Sequence, residues 1–187
     1  PAVDQMLNQG NDEETALAFI QLAMTNTDKR INNSQRVTPA FLFAALLWHP
    51  LQIHINRLNA ETELTVQDAF FSALSEIMSE QQRSIAIPKR FQAVMKDIWI
   101  LQDKLGRREG KRAYKTFEHP KFRAGYDFLL LRAEIEKASE QSTTLQELAA
   151  WWTDFQTVSP EAQQQMIKSV ANNRGGVRRT TRKRRKP

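Results

Sequence analysis

Apolar residues recur along this chain at intervals of three and four, and the alternation expected of strands is scarce. Ala16, Phe19, Ile20, Ala23 and Met24 predict a first helix, with Asn11 or Asp12 as its cap. Thr38 followed by Pro39 is a cap-then-proline start for a helix through Phe41 to Trp48. Pro50 interrupts it, and Leu51, Ile53, Ile55 and Leu58 continue as a short helix or an extended link. Thr65 with Asp68 resembles a capping box that opens a helix with Ala69, Phe70, Ala73, Leu74, Ile77 and Met78 inside. Pro88 begins a broad apolar stripe, Phe91, Val94, Met95, Ile98, Trp99, Leu101 and Leu105, ended by Gly106 as the residue after the helix. A basic connector follows from Arg107 to Arg112, then an amphipathic helix from Phe122 to Ile135. Thr144 with Glu147 opens a helix carrying Leu148, Trp151, Trp152 and Phe155, and Ser159-Pro160-Glu161 starts the last one. The pattern predicts an all-α body over residues 1–173. Order is expected to end at Gly175-Gly176, leaving residues 174–187 as a disordered basic tail.

Composition changes that picture little. The chain has 187 residues, 41% of them apolar, enough for a real core. The longest apolar run, Ala40 to Trp48, is far short of a membrane span, so no membrane is expected. The acidic start around Asp12, Glu13 and Glu14 does not read as a signal peptide, and the opening Pro1 fits processing or a piece of something longer. With no cysteine, disulfides and thiolate metal sites are excluded, and a reducing cytoplasm is the expected compartment.

Charge is more informative. Residues 1–82 carry 4 basic and 10 acidic side chains, whereas residues 83–132 carry 13 and 5. Residues 133–173 carry 2 and 6, and residues 174–187 carry 8 and none. Positive charge therefore sits in one internal block and one tail, which points to a polyanionic partner.

No enzymatic constellation emerges. His49, His54 and His119 lack the spacing of a helical zinc site, and Gly106, Gly110 and Gly125 are isolated rather than a phosphate loop. Asp12-Glu13-Glu14 lies in a first helical turn, where acids favour the macrodipole. No catalytic, cofactor-binding or metal-binding residue is assigned. The basic residues are the candidates instead: Lys89, Arg90 and Lys96 on the long helix, and Arg107, Arg108, Lys111 and Arg112 in the connector. Lys121 and Arg123 follow, and Arg178, Arg179, Arg182, Lys183, Arg184 and Arg185 make up the tail set. Such cations contact phosphates and release counterions. The pair Lys89-Arg90 sits at a helix start, where positive charge opposes the dipole and serves something other than helix stability. Trp99, Tyr114, Phe117 and Tyr126 interleave with the block as stacking candidates, although Trp99, Phe122 and Phe128 fit core packing better.

Several ordered segments resemble the carboxy-terminal half of bacterial poly(A) polymerases, a family related to CCA-adding enzymes. They are Arg30-Ile31-Asn32-Asn33, Arg36 through Trp48, Ile87-Pro88-Lys89-Arg90-Phe91 and Asp97-Ile98-Trp99. Glu118 through Ala124, Phe128 through Glu134, Trp151-Trp152 and the arginine-rich ending continue the likeness. The resemblance implies the helical body of a class II nucleotidyltransferase-like enzyme that adds adenylates to RNA 3′ ends, marking transcripts for decay. It implies single-stranded RNA 3′ ends as partner, RNA-decay proteins as further partners, and ATP with magnesium for a complete enzyme. The family's catalytic carboxylates lie in an amino-terminal head, and nothing in this chain matches the Gly-Ser start or paired aspartates of that head. This chain alone is therefore expected to be inactive, with no cofactor of its own. Two alternatives stand beside that reading: a tRNA-handling, CCA-adding type of body, and a non-enzymatic helical interaction protein with a basic docking tail.

Overall fold

The computed structural model describes residues 11–84, 86–138 and 144–182, the last ten as backbone. Among the described residues there are nine helices and no strand, as the periodicity predicts. They form two compact units divided after Trp99.

The first unit begins with α1, Asn11–Asn32, which packs on α2, Pro39–Leu46. Thr38 holds extended backbone ahead of Pro39, so the predicted start is right, although the Thr38 hydroxyl makes no capping bond. Leu47 ends α2 and begins α3, Trp48–Glu61, accepting from the Leu51 N–H while donating to Phe43. Pro50 therefore does not interrupt the chain; it lies in the first turn of α3, where its missing N–H would have had no helical partner. Helix α4, Val66–Ser84, opens with the predicted box. The Asp68 N–H donates to Thr65 Oγ1 at 3.1 Å, and the Thr65 hydroxyl donates to the Asp68 carboxylate at 2.7 Å. Ala69, Ala73, Leu74 and Ile77 are buried, and α4 packs along α3. Between those helices the imidazole of His54, itself buried, meets Glu76 at 2.9 Å and Glu80 at 3.9 Å, while Arg57 meets Glu76 at 2.6 Å. Of the acids of α4, Glu76 is thus bound to α3 and Glu80 lies near it.

Helix α5, Lys89–Gly106, carries the predicted stripe. In the first unit Met95, Ile98 and Trp99 are fully buried, and the Trp99 indole N–H donates to the Ala44 carbonyl at 3.1 Å.

The second unit corrects the expected connector. Residues 107–110 link α5 to α6, Lys111–Phe117, so Lys111 and Arg112 open a helix. Gly110 enters it at φ +53°, a left-handed conformation that glycine adopts without a Cβ penalty. Ala113 and Thr116 are buried, which is what makes these seven residues helical in context. Helix α7, Phe122–Ala138, packs on α8, Thr144–Phe155. Where α5 meets α7, a Cβ on Gly125 would lie 2.8 Å from that of Leu101, so the two backbones approach as only glycine allows.

The core of this unit is aromatic. Phe122, Tyr126, Trp152 and Phe155 gather with Leu105, Leu129, Leu148 and Ile167. Phe122 stands 5.3 Å from Trp152, and Trp151 stacks on Phe155 at 4.8 Å. The indole N–H of Trp152 donates to the Leu105 carbonyl at 3.0 Å, satisfying an acceptor at the end of α5. The Thr153 hydroxyl donates to Ala149, which leaves Tyr126 as the donor in their 2.6 Å bond.

Helix α9, Pro160–Arg182, starts at the predicted Ser159-Pro160-Glu161. Its own backbone N–H and the Ser159 hydroxyl hold the Glu161 carboxyl below the usual range. The helix runs through Gly175-Gly176 to Arg182 rather than ending at the glycines. Each glycine costs a growing helix about 1 kcal/mol relative to alanine, but extension needs no new nucleus, so a glycine pair weakens it without stopping it. Residues 183–187 lie outside the described residues. No helix of the described residues is long and apolar enough to cross a membrane.

Candidate nucleic-acid interface

The predicted cations divide between the units, and the units treat them differently. In the first unit Lys89 and Lys96, seven residues apart, lie on one face of α5 and line a groove against α4. That groove has a volume of about 670 Å³ and is completed by Phe71, Leu74, Ser75, Met78, Ser79, Gln92 and Ala93, with no acid among them. Phe71 is 39% exposed, and the Lys96 ammonium lies 5.5 Å from its ring centroid. Arg90, exposed at the start of α5, turns its guanidinium over Phe91 at 4.9 Å.

In the second unit several cations have local partners. Arg107 pairs with Asp103 one turn earlier at 2.6 Å. Arg123 reaches both oxygens of Asp127, at 3.0 and 3.3 Å, and lies 5.5 Å from the Tyr126 centroid. Arg108 is half-buried over the Trp151 ring at 5.3 Å. Arg132, another cation of the block, donates to Gln102 at 3.2 Å. Burial pushes its guanidinium down to about 10, which leaves it charged at neutral pH but turned inward. Lys111 and Arg112 are exposed and enter no ion pair among the described residues. Lys121 is half-buried, its N–H bonded to His119 Nδ1 at 3.1 Å. Arg178, Arg179 and Arg182 fall on the last turns of α9, and Lys183, Arg184 and Arg185 lie outside the described residues.

The stacking candidates fare differently from the cations. Trp99 is 1% exposed, Tyr126 is buried and bonded, and Tyr114 and Phe117 pack at 5.8 and 5.6 Å from Phe155. Trp99 and Tyr126 belong to the apolar interior, and Tyr114 and Phe117 are half-buried against it. Among the described residues the exposed aromatic is Phe71, which the periodicity passes over. A signal was present: Phe70 and Phe71 are consecutive, and neighbours on a helix point about 100° apart, so both cannot face one core.

Among the described residues no three His, Asp or Glu side chains gather in a way that would hold a metal ion. Poly(A) polymerase I of Escherichia coli O157:H7 is 42% identical over 186 residues, covering 100% of this chain and 39% of that protein. The Salmonella typhi protein of that name is 41% identical with the same coverage. That of Haemophilus influenzae is 41% identical over 167 residues, 89% of this chain and 36% of its own length. The chain thus spans about two fifths of the length of the relatives it matches. The family described as the polymerase A arginine-rich C-terminus matches residues 62–186, and the chain belongs to that family.

Proposed function

We propose that this chain is the RNA-holding carboxy-terminal part of a poly(A) polymerase, gripping single-stranded RNA so that its 3′ end reaches a catalytic head outside these residues. The observation that carries the reading is the set of exposed cations, Lys89, Lys96, Lys111 and Arg112, within a block of 13 basic and 5 acidic residues. Contacts of this kind bind the backbone whatever the sequence, which suits an enzyme that must accept many transcripts and let the strand advance. ATP and magnesium serve the head in this reading. A cytoplasmic setting, with RNA-decay proteins as neighbours, follows from the same reading and suits a chain without cysteine.

Fluorescence anisotropy with a labelled single-stranded RNA at several salt concentrations tests it. The whole chain is compared with a variant carrying glutamine at Arg178, Arg179, Arg182, Lys183, Arg184 and Arg185. Both are expected to bind, with the salt slope of the variant shallower by up to about 0.7 per lost contact. Binding that vanishes in the variant would make the helical body a scaffold and return the chain to the interaction-protein alternative.

A further inference from the structure

The groove between α4 and α5 combines features that phosphate gripping alone does not need. A large aromatic side chain on a helix surface gains nothing from water, yet Phe71 is 39% exposed there. It is held rather than loose: Phe70 meets it edge-on at 5.4 Å, and Lys96 covers it at 5.5 Å. The groove floor is apolar through Leu74 and Met78, and Ser75 and Ser79 add hydroxyls one turn apart. Gln92 is anchored by its Nε2 donating to the Ile87 carbonyl at 2.8 Å, which leaves its amide oxygen as an acceptor. The acids nearest in sequence on α4, Glu76 and Glu80, lie 2.9 and 3.9 Å from the His54 ring, and neither lines the groove.

We infer that this groove is a subsite for one unpaired nucleotide of single-stranded RNA, the base stacked on Phe71 and the flanking phosphates on Lys89 and Lys96. The inference rests on the RNA-holding reading above and gives it a place and a second chemistry. Lys96 is the movable part. Its compact ammonium on a flexible four-carbon stem rests on the ring in the free protein and turns to a phosphate when a base takes the ring face. A volume of about 670 Å³ falls within the range of small-ligand sites. Because every base has a π-face, stacking adds affinity without demanding a sequence. Lys89 and Lys96 stand two turns apart, about 10 Å along the axis, so they serve different phosphates of the strand.

The whole chain is titrated with a labelled short single-stranded RNA and with an abasic oligomer of the same phosphate count. Phe71→Leu keeps an apolar side chain at an exposed position and removes the ring. It is expected to weaken RNA binding about tenfold, the effect of losing one stacked base, with the salt slope unchanged. Phe71→Tyr is expected to stay within about twofold of the parent, and the abasic oligomer to bind parent and Phe71→Leu alike. Parent-like RNA affinity in Phe71→Leu overturns the subsite and leaves the RNA-holding reading standing. An equal loss for both oligomers also overturns it, because Phe71 would then shape the surface rather than receive a base. If the parent chain binds neither oligomer, both readings fall together.

Discussion

Lys96 and Arg123 each place a cation 5.5 Å from an aromatic centroid, and there the likeness ends. The ring under Lys96 is exposed Phe71, and no carboxylate lines its groove. The ring under Arg123 is buried Tyr126, and Asp127 one turn away holds the guanidinium through both oxygens. The first arrangement leaves an aromatic face and a charge available to a ligand; the second satisfies both internally. Charge density along a sequence therefore overstates what a surface offers. A carboxylate four residues from an arginine on a helix takes up part of its reach, although such pairs are worth only about 0.3–0.5 kcal/mol. A buried ring takes up the rest.

Three variants would break or sharpen this contrast. The largest effect is expected from Trp152→Ala, which removes the centre of the aromatic core and the donor to the Leu105 carbonyl. A loss of about 3–5 kcal/mol in a urea unfolding experiment is predicted. A loss below about 1 kcal/mol would mean that the rings under Arg108 and Arg123 are not part of a rigid core. Next comes Gly125→Ala, whose new methyl would meet Leu101 Cβ at 2.8 Å. Overpacking of this kind costs about 1–3 kcal/mol, and an unchanged unfolding midpoint would show that α5 and α7 part easily.

How these features stood in the sequence differs from one to the next. The Thr65–Asp68 box and the Ser159-Pro160 start could be read directly, because caps depend on residues three positions apart. Helix α6 could not: it begins with Lys111-Arg112, where cations oppose the dipole, and it follows a glycine. Its helicity comes from burying Ala113 and Thr116, a tertiary fact. The basic block was legible as composition, but which cations would be paired was not. Asp103 and Asp127 stand at the right spacing, yet i,i+4 spacing permits a pair without requiring one. Phe71 was the clearest omission, hidden beside Phe70 in a stretch that reads as core.

The smallest effect is expected from Asp103→Asn combined with Asp127→Asn, which releases Arg107 and Arg123 from their partners. RNA affinity at low salt should rise by about two- to fivefold, with a salt slope steeper by up to about 0.7 per freed cation. An unchanged affinity and slope in the anisotropy titration would mean that the two carboxylates do not keep those guanidiniums from a ligand.

The bond from Trp152 to Leu105 spans 47 residues of chain. During synthesis the end of α5 therefore leaves the ribosome well before the indole that completes it. At about 5–20 residues per second, the interval is on the order of 2–10 s. For that time Leu105 and its apolar neighbours have no aromatic core to join, and the nascent chain exposes what the finished protein hides. The second unit closes only when α8 arrives, so the timing of its folding is set by translation rather than by helix formation, which takes microseconds or less.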